Sequence, residues 1–242
     1  MLSNYKLAVT HVNTDLSMNS SSSQSSPLNG RRYAGVLPEE RQRLRKAKLI
    51  EGAIDVFGTK GFHAATVREV CVAANLTERY FYESFKTLPD LFLAAYSELR
   101  EQLMTLTLAA LERLPQSVDP LDMLAPAMRV FLVFIRDDPR RGRIMLVDSL
   151  AVSDEVAAMS GATARDYSAL LENYLTRLLP PEHLDEISLK LLADGMIGLN
   201  VLLAARWMQD GFAEPIDKVV RTNLLPYEGL MHWASCKQNK MS

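Results

Sequence analysis

Residues 66–85, TVREVCVAANLTERYFYESF, read as two short helices around a three-residue turn. Val67, Val70, Cys71 and Ala74 form an apolar or small stripe at helical spacing, which gives the first helix a face to bury. Asn75-Leu76 supplies the turn, and Asn tolerates the left-handed backbone a tight turn demands. The second helix carries Arg79, Tyr80, Phe81 and Tyr82. The small Cys71 lets the helices approach, and Phe81 pins the second helix to the core. This spacing is that of a helix-turn-helix, whose second helix fits the major groove of duplex DNA.

Outward from this motif, the pattern stays helical. Pro38 suits a first helical position, and Glu39 and Glu40 favour a helix start. Leu44, Ala47, Ile50, Ile54 and Phe57 recur at three-to-four spacing, so a helix is predicted from 38 to Thr59, ended by Gly61. Thr66 and Glu69 form a capping box for the next helix. Leu91, Phe92, Ala95, Leu99, Leu103, Leu106 and Ala110 define a long helix over 88–113, closed by Pro115 and the VDP stretch at 118–120. Further helical patterns fall at 120–136, 140–152, 162–179, 184–210 and 215–234, with Pro226 expected to kink or split the last. Strand alternation is nowhere convincing. Residues 1–37 are Ser-rich and lack an apolar stripe, so they are expected to be disordered. Arg31 and Arg32 read either as solvated or as a basic arm.

Composition narrows the function. With a net charge of −2, nucleic-acid affinity has to come from a local patch rather than a wholly basic surface. Cys71 and Cys236 stand far apart, match no metal spacing and imply free thiols in a reducing compartment. The apolar run Met196 to Ala205 is short for a membrane span, and no signal-peptide pattern opens the chain. These features lead to an expectation of a cytoplasmic chain with no membrane partner. His11, His63, His183 and His232 are scattered, and neither a phosphate-binding Gly loop nor a nucleophile elbow is present, so no enzyme activity, metal or cofactor is expected. The charged run DDPRRGR (137–143) reads as a solvated turn at a helix junction.

The N-terminal third resembles the TetR family of bacterial transcriptional regulators. The resemblance rests on FGTKGF (57–62), ATVREV (65–70), AANLT (73–77), Tyr82, Phe85 and the Asp-Leu-Phe of 90–92, and spans about residues 40–95. It implies an all-α homodimer: a three-helix helix-turn-helix DNA-binding domain over 38–87, with the motif at 65–84, then a helical ligand-binding and dimerisation domain over 88–235. Residues 236–242 are expected to form a flexible end. The chain departs from the family pattern at Asn75 (turn glycine), Arg79 (glycine early in the recognition helix) and Leu88 (lysine), where Lys86 is the nearest substitute cation.

The expected DNA contacts are Thr66, Thr77, Arg79, Tyr80, Tyr82, Lys86, Arg45 and Lys48. Thr66 and Thr77 each read as a cap, a phosphate contact or both. Arg79 reads either as a contact to a guanine edge or a phosphate, or as a solvated surface residue. Tyr80 faces a thymine methyl or phosphate, and Tyr82 matches the family's backbone-contacting tyrosine; for each the alternative is a half-buried aromatic. The basic run of the first helix is either a solvated face or a source of phosphate contacts. Phe81 and Phe85 belong to the core.

For the second half, Met104, Met128, Phe131, Phe134, Met145, Tyr167 and Tyr174 are candidates to line a pocket for an apolar or aromatic small-molecule effector; core packing is the alternative for each. Met196, Ile197, Leu203 and Trp207 are candidates for a dimer interface, with intrachain core again the alternative. The partners implied are a double-stranded DNA operator, a second copy of the chain and an effector that releases a repressor. A helical adaptor with an inactive DNA-binding head is the competing reading.

Overall fold

The computed structural model describes residues 37–114 and 120–241. Residues 1–36 of the expected disordered tail lie outside this set. Every element among the described residues is helical. We label them α1 (Pro38–Lys60), α2 (Val67–Ala73), α3 (Glu78–Ser84), α4 (Leu88–Glu112), α5 (Pro120–Asp137), α6 (Pro139–Gly142), α7 (Asp154–Leu178), α8 (Pro181–Leu184), α9 (Leu189–Gln209) and α10 (Ile216–Met241).

The packing face of α1 differs from the expected stripe. Leu44 and Ala47 are exposed and Ile50 and Ile54 half-buried, while Leu49, Gly52, Ala53, Val56 and Phe57 turn inward. Gly52 sets this face. A Cβ there would stand 2.9 Å from the Ala74 nitrogen and 3.0 Å from the Val70 carbonyl oxygen, so only glycine lets the end of α2 lie so close on α1. Gly61 has φ 87° and turns the chain out of α1, as expected.

Past residue 137 the segmentation differs from the periodicity. The pattern at 140–152 is broken into the short α6, a wide turn at Arg143–Val147 and a tight one at Asp148–Leu150. α7 starts earlier than expected because the Ser153 hydroxyl accepts from the Val156 N–H and caps it. The 184–210 pattern divides at Ser188, whose hydroxyl caps α9. Pro226 does not split α10. That helix also runs through the end expected to be flexible, reaching Met241, since Gln, Lys and Met favour the helix there.

One hydrophobic cluster extends from Leu49 and Phe57 through Phe81, Phe92 and Leu99 to Ile135, Ile144, Trp207 and Val220. A second gathers Leu171, Leu175, Met196, Tyr227 and Ala234 between α7, α9 and α10. α9 is long and apolar enough to cross a bilayer on length and composition alone. It buries Ala193, Met196, Asn200, Ala204 and Trp207 on one face, where Asn200 donates to the Tyr227 hydroxyl at 2.9 Å.

Candidate nucleic-acid interface

The motif forms through local hydrogen bonds. Thr66 Oγ1 accepts from the Glu69 N–H at 3.3 Å, and Glu69 Oε2 accepts from the Thr66 N–H at 3.0 Å, completing the expected box. Lys60 also holds Glu69, and mainly for that reason the carboxyl sits below its ordinary range, with the Thr66 hydroxyl adding to the effect. At the turn, Asn75 has φ 51° and the Leu76 N–H donates to the Cys71 carbonyl at 2.9 Å. Cys71 is buried, and burial pushes its thiol pKa up, so it stays a neutral core residue.

α3 then divides cleanly. Phe81 is fully buried, and its ring meets Phe85 at 6.1 Å. Tyr82, next along the helix, is 62% exposed and stands edge-on to Phe81 at 5.1 Å, so its hydroxyl projects outward from a fixed base. The Arg79 side chain is 83% exposed, with its Nε donating to Glu83 Oε1 at 2.9 Å. That bond orients the guanidinium and leaves the terminal nitrogens for an outside acceptor. Thr77 precedes α3 but its side chain makes no capping bond, which removes one of its two readings.

The remaining candidates occupy three different environments. Arg45 lies 4.5 Å over the Tyr80 ring and 3.9 Å from Glu83, so it braces α3 against α1 and half-buries Tyr80. Lys48 is exposed on α1. Lys86 is exposed before α4, and its N–H donates to Asp90 Oδ2 at 3.2 Å. Asp90 also takes the Thr87 N–H at 2.9 Å while Thr87 caps Asp90, a second capping box that fixes the entry to α4.

DDPRRGR is a buttressed joint, and the solvated-turn reading is overturned. Asp138 Oδ1 and Oδ2 accept from Arg140 Nε and Nη2 at 2.8 and 2.9 Å, while Arg140 Nη1 donates to Asp55 on α1 at 2.9 Å. The Arg140 hydrogen bond holds the Asp138 carboxyl below its ordinary range. Arg143 donates to the Thr59 carbonyl at 3.1 Å, and Asp148 accepts from the Phe62 N–H at 3.1 Å. A Cβ on Gly58 would fall 2.2 Å from the Arg140 Cβ, and one on Gly142 would fall 2.5 Å from the Met208 sulfur of α9. The segment therefore locks the end of α1 to the C-terminal helices. These residues escaped the sequence reading; the signal was a charge cluster facing the glycines of FGTKGF.

The pocket candidates do not gather in one place. Met128, Phe134 and Met145 are buried in the first cluster, with Phe131 packed against it and Phe134 lying under the Arg141 guanidinium at 4.4 Å. Tyr174 packs in the second cluster, and Met104 is half-buried on α4. Tyr167 is half-buried on α7, and burial above all raises its pKa to about 12. Met196 and Trp207 are intrachain core. Trp207 Nε1 donates to the Glu214 carbonyl at 2.9 Å and its ring meets Phe212 at 4.9 Å, fixing the reversal between α9 and α10. Ile197 and Leu203 are half-buried. The outward face of α9 is Leu191, Gly195, Gly198 and Leu202 instead, with Leu191 71% and Leu202 55% exposed.

Residues 49–95 match the family model described as bacterial regulatory proteins, tetR family. The chain is 24% identical over 209 residues to the HTH-type transcriptional activator FasR of Mycolicibacterium smegmatis, covering 85% of this chain and 90% of that one. Its fold is similar to that of a regulator from Pseudomonas aeruginosa PAO1, with TM-score 0.66, 19% identity and coverage of 83% and 95%. It is likewise similar to FadR from Bacillus subtilis, solved in complex with stearoyl-CoA, with TM-score 0.62, 14% identity and coverage of 74% and 95%.

Proposed function

Given that the chain belongs to the TetR family and is a DNA-binding transcriptional regulator rather than an enzyme, we propose that it is an effector-released repressor that binds a pseudo-palindromic operator as a homodimer. Residues 38–87 act as the reading head and 88–235 as the effector-binding and dimerising part. One observation carries this: on α3, Phe81 is sealed in the core while Arg79 and Tyr82 stand out to solvent. A helix anchored on one side and armed on the other is what groove reading needs.

Arg79 supplies base reading, with Tyr82, Thr77, Lys86 and Lys48 directed at phosphates. Thr66 adds a phosphate contact from the α2 terminus, and Arg45 with Tyr80 holds α3 at its angle. A single short helix reads few base pairs, so two heads spaced about 34–36 Å, one turn of DNA, are required. The outward stripe of α9 with Leu225 of α10 supports the pairing surface: Leu191 and Leu202 flank Gly195 and Gly198, around which no atom stands within 4 Å of an added Cβ. Ile197 and Leu203 border that stripe.

The effector is a small molecule with a large apolar part, taken between α4, α5 and α7; the complex of FadR with stearoyl-CoA supports this reading. It acts by favouring one spacing of the heads. α4 and the Arg140 joint offer two mechanical routes to that end. FasR is named an activator, so the sign of regulation is read from a promoter reporter. Deleting the gene should raise expression from the operator-bearing promoter; a fall would make the protein an activator.

A further inference from the structure

We infer that Arg100 and Tyr167 form the polar anchor of the effector site, built for a neutral acceptor oxygen such as an ester, amide or ketone carbonyl. The inference rests on the reading of α4 and α7 as effector-binding helices and names the ligand chemistry of that site. Arg100 lies on α4 and Tyr167 on the facing α7. Arg100 Nη2 donates to Asp166 Oδ2 at 2.8 Å, which fixes the guanidinium beside the residue next to Tyr167. Two buried groups are then left over: Arg100 Nε and the Tyr167 hydroxyl have no hydrogen-bond partner among the described residues.

Both are donors. A buried donor without an acceptor is a liability in the empty protein and an advantage to any ligand that supplies one. Asp166 already neutralises the Arg100 charge, so a carboxylate would bring an uncompensated negative charge into a buried place. A carbonyl oxygen brings none. On the α4 helix, Tyr96, Leu99 and Leu103 are buried, and the Ser97 hydroxyl approaches the Met159 sulfur of α7 at 3.4 Å, so α4 and α7 pack closely on each other here. Tyr167 stays protonated at any physiological pH, since burial lifts its pKa to about 12. Because the anchor stands on α4, the helix that begins at the reading head, a bound carbonyl would bear directly on head position.

Two measurements on the full chain test this. Without ligand, Tyr167→Phe should leave the melting temperature unchanged or raise it; a fall beyond about 3 °C would show that the hydroxyl already has a partner and overturn the anchor. Titration with benzylacetone, butylbenzene and hydrocinnamate then compares a ketone, a hydrocarbon and a carboxylate of similar bulk. We expect the ketone to bind about 10-fold tighter than either. Tyr167→Phe, and Arg100→Lys, which keeps the Asp166 pair, should each remove most of that preference without changing butylbenzene binding. A wild type that shows no ketone preference, or variants that keep it, would overturn the anchor. Operator release in the same samples separates the two readings: release by butylbenzene or hydrocinnamate without a ketone preference leaves the effector reading standing and removes the anchor.

Discussion

Arg140 Nη1 stands 2.9 Å from Asp55 Oδ1, joining two residues 85 positions apart in the chain. The contact runs from the joint after α5 to the face of α1 and is backed by Asp138 on the other side of the same guanidinium. Both partners are largely solvent-accessible, so the pair adds only about 0.2–1 kcal/mol to stability. Its value is positional. We expect Arg140→Ala to leave the fold intact and to alter the effector concentration needed for operator release by several-fold. An unchanged release curve, read by fluorescence anisotropy, would take the joint out of the coupling.

The pH dependence of the joint follows from Asp138. Its carboxyl is held below the ordinary value of 3.8, chiefly by the Arg140 hydrogen bond. A depressed carboxylate contributes stability that is fully present above its unfolded pKa and is lost as pH falls through the folded one. Wild type should therefore exceed Asp138→Asn in urea-unfolding stability at pH 7, and the gap should close below about pH 4. A gap that persists at low pH would assign the effect to packing.

The turn of the motif offers a backbone test. Asn75 sits at φ 51°, where an L side chain with a branched Cβ is strained. Asn75→Val should cost about 1–2 kcal/mol, and Asn75→Gly should be close to neutral. Equal stabilities by thermal melts would mean that the turn opens to another conformation.

The α2–turn–α3 unit was legible because its signals are local, whereas the inward face of α1 was not. A capping box, an asparagine at a left-handed position and an aromatic six residues later all lie within one stretch of chain. The joint was not legible, because the cause of Gly58 is the Arg140 side chain more than eighty residues away. The face of α9 was not legible either. Its inward set of Ala193, Met196 and Trp207 and its outward set of Leu191 and Leu202 are equally apolar, so hydrophobicity alone does not distinguish the buried face from the exposed one.

The proposed pairing surface on α9 has a direct test. Leu202→Glu should place a charge on the outward stripe of α9 and convert the dimer to monomer in light scattering after gel filtration, with helicity unchanged. Trp207→Phe should loosen the α9 to α10 reversal by about 1–3 kcal/mol without changing assembly. The opposite pattern would return Trp207 to the interface.

The central claim is that α3 reads DNA through Arg79 with two-fold symmetry. Selection of binding sites from random duplexes, run in parallel on wild type and Arg79→Ala, tests it most directly. We expect wild type to enrich an inverted repeat with half-sites about one turn apart, and the variant to lose about 10- to 100-fold of discrimination at one position in each half while keeping salt-sensitive binding. No enriched repeat, or an identical repeat from Arg79→Ala, would contradict it.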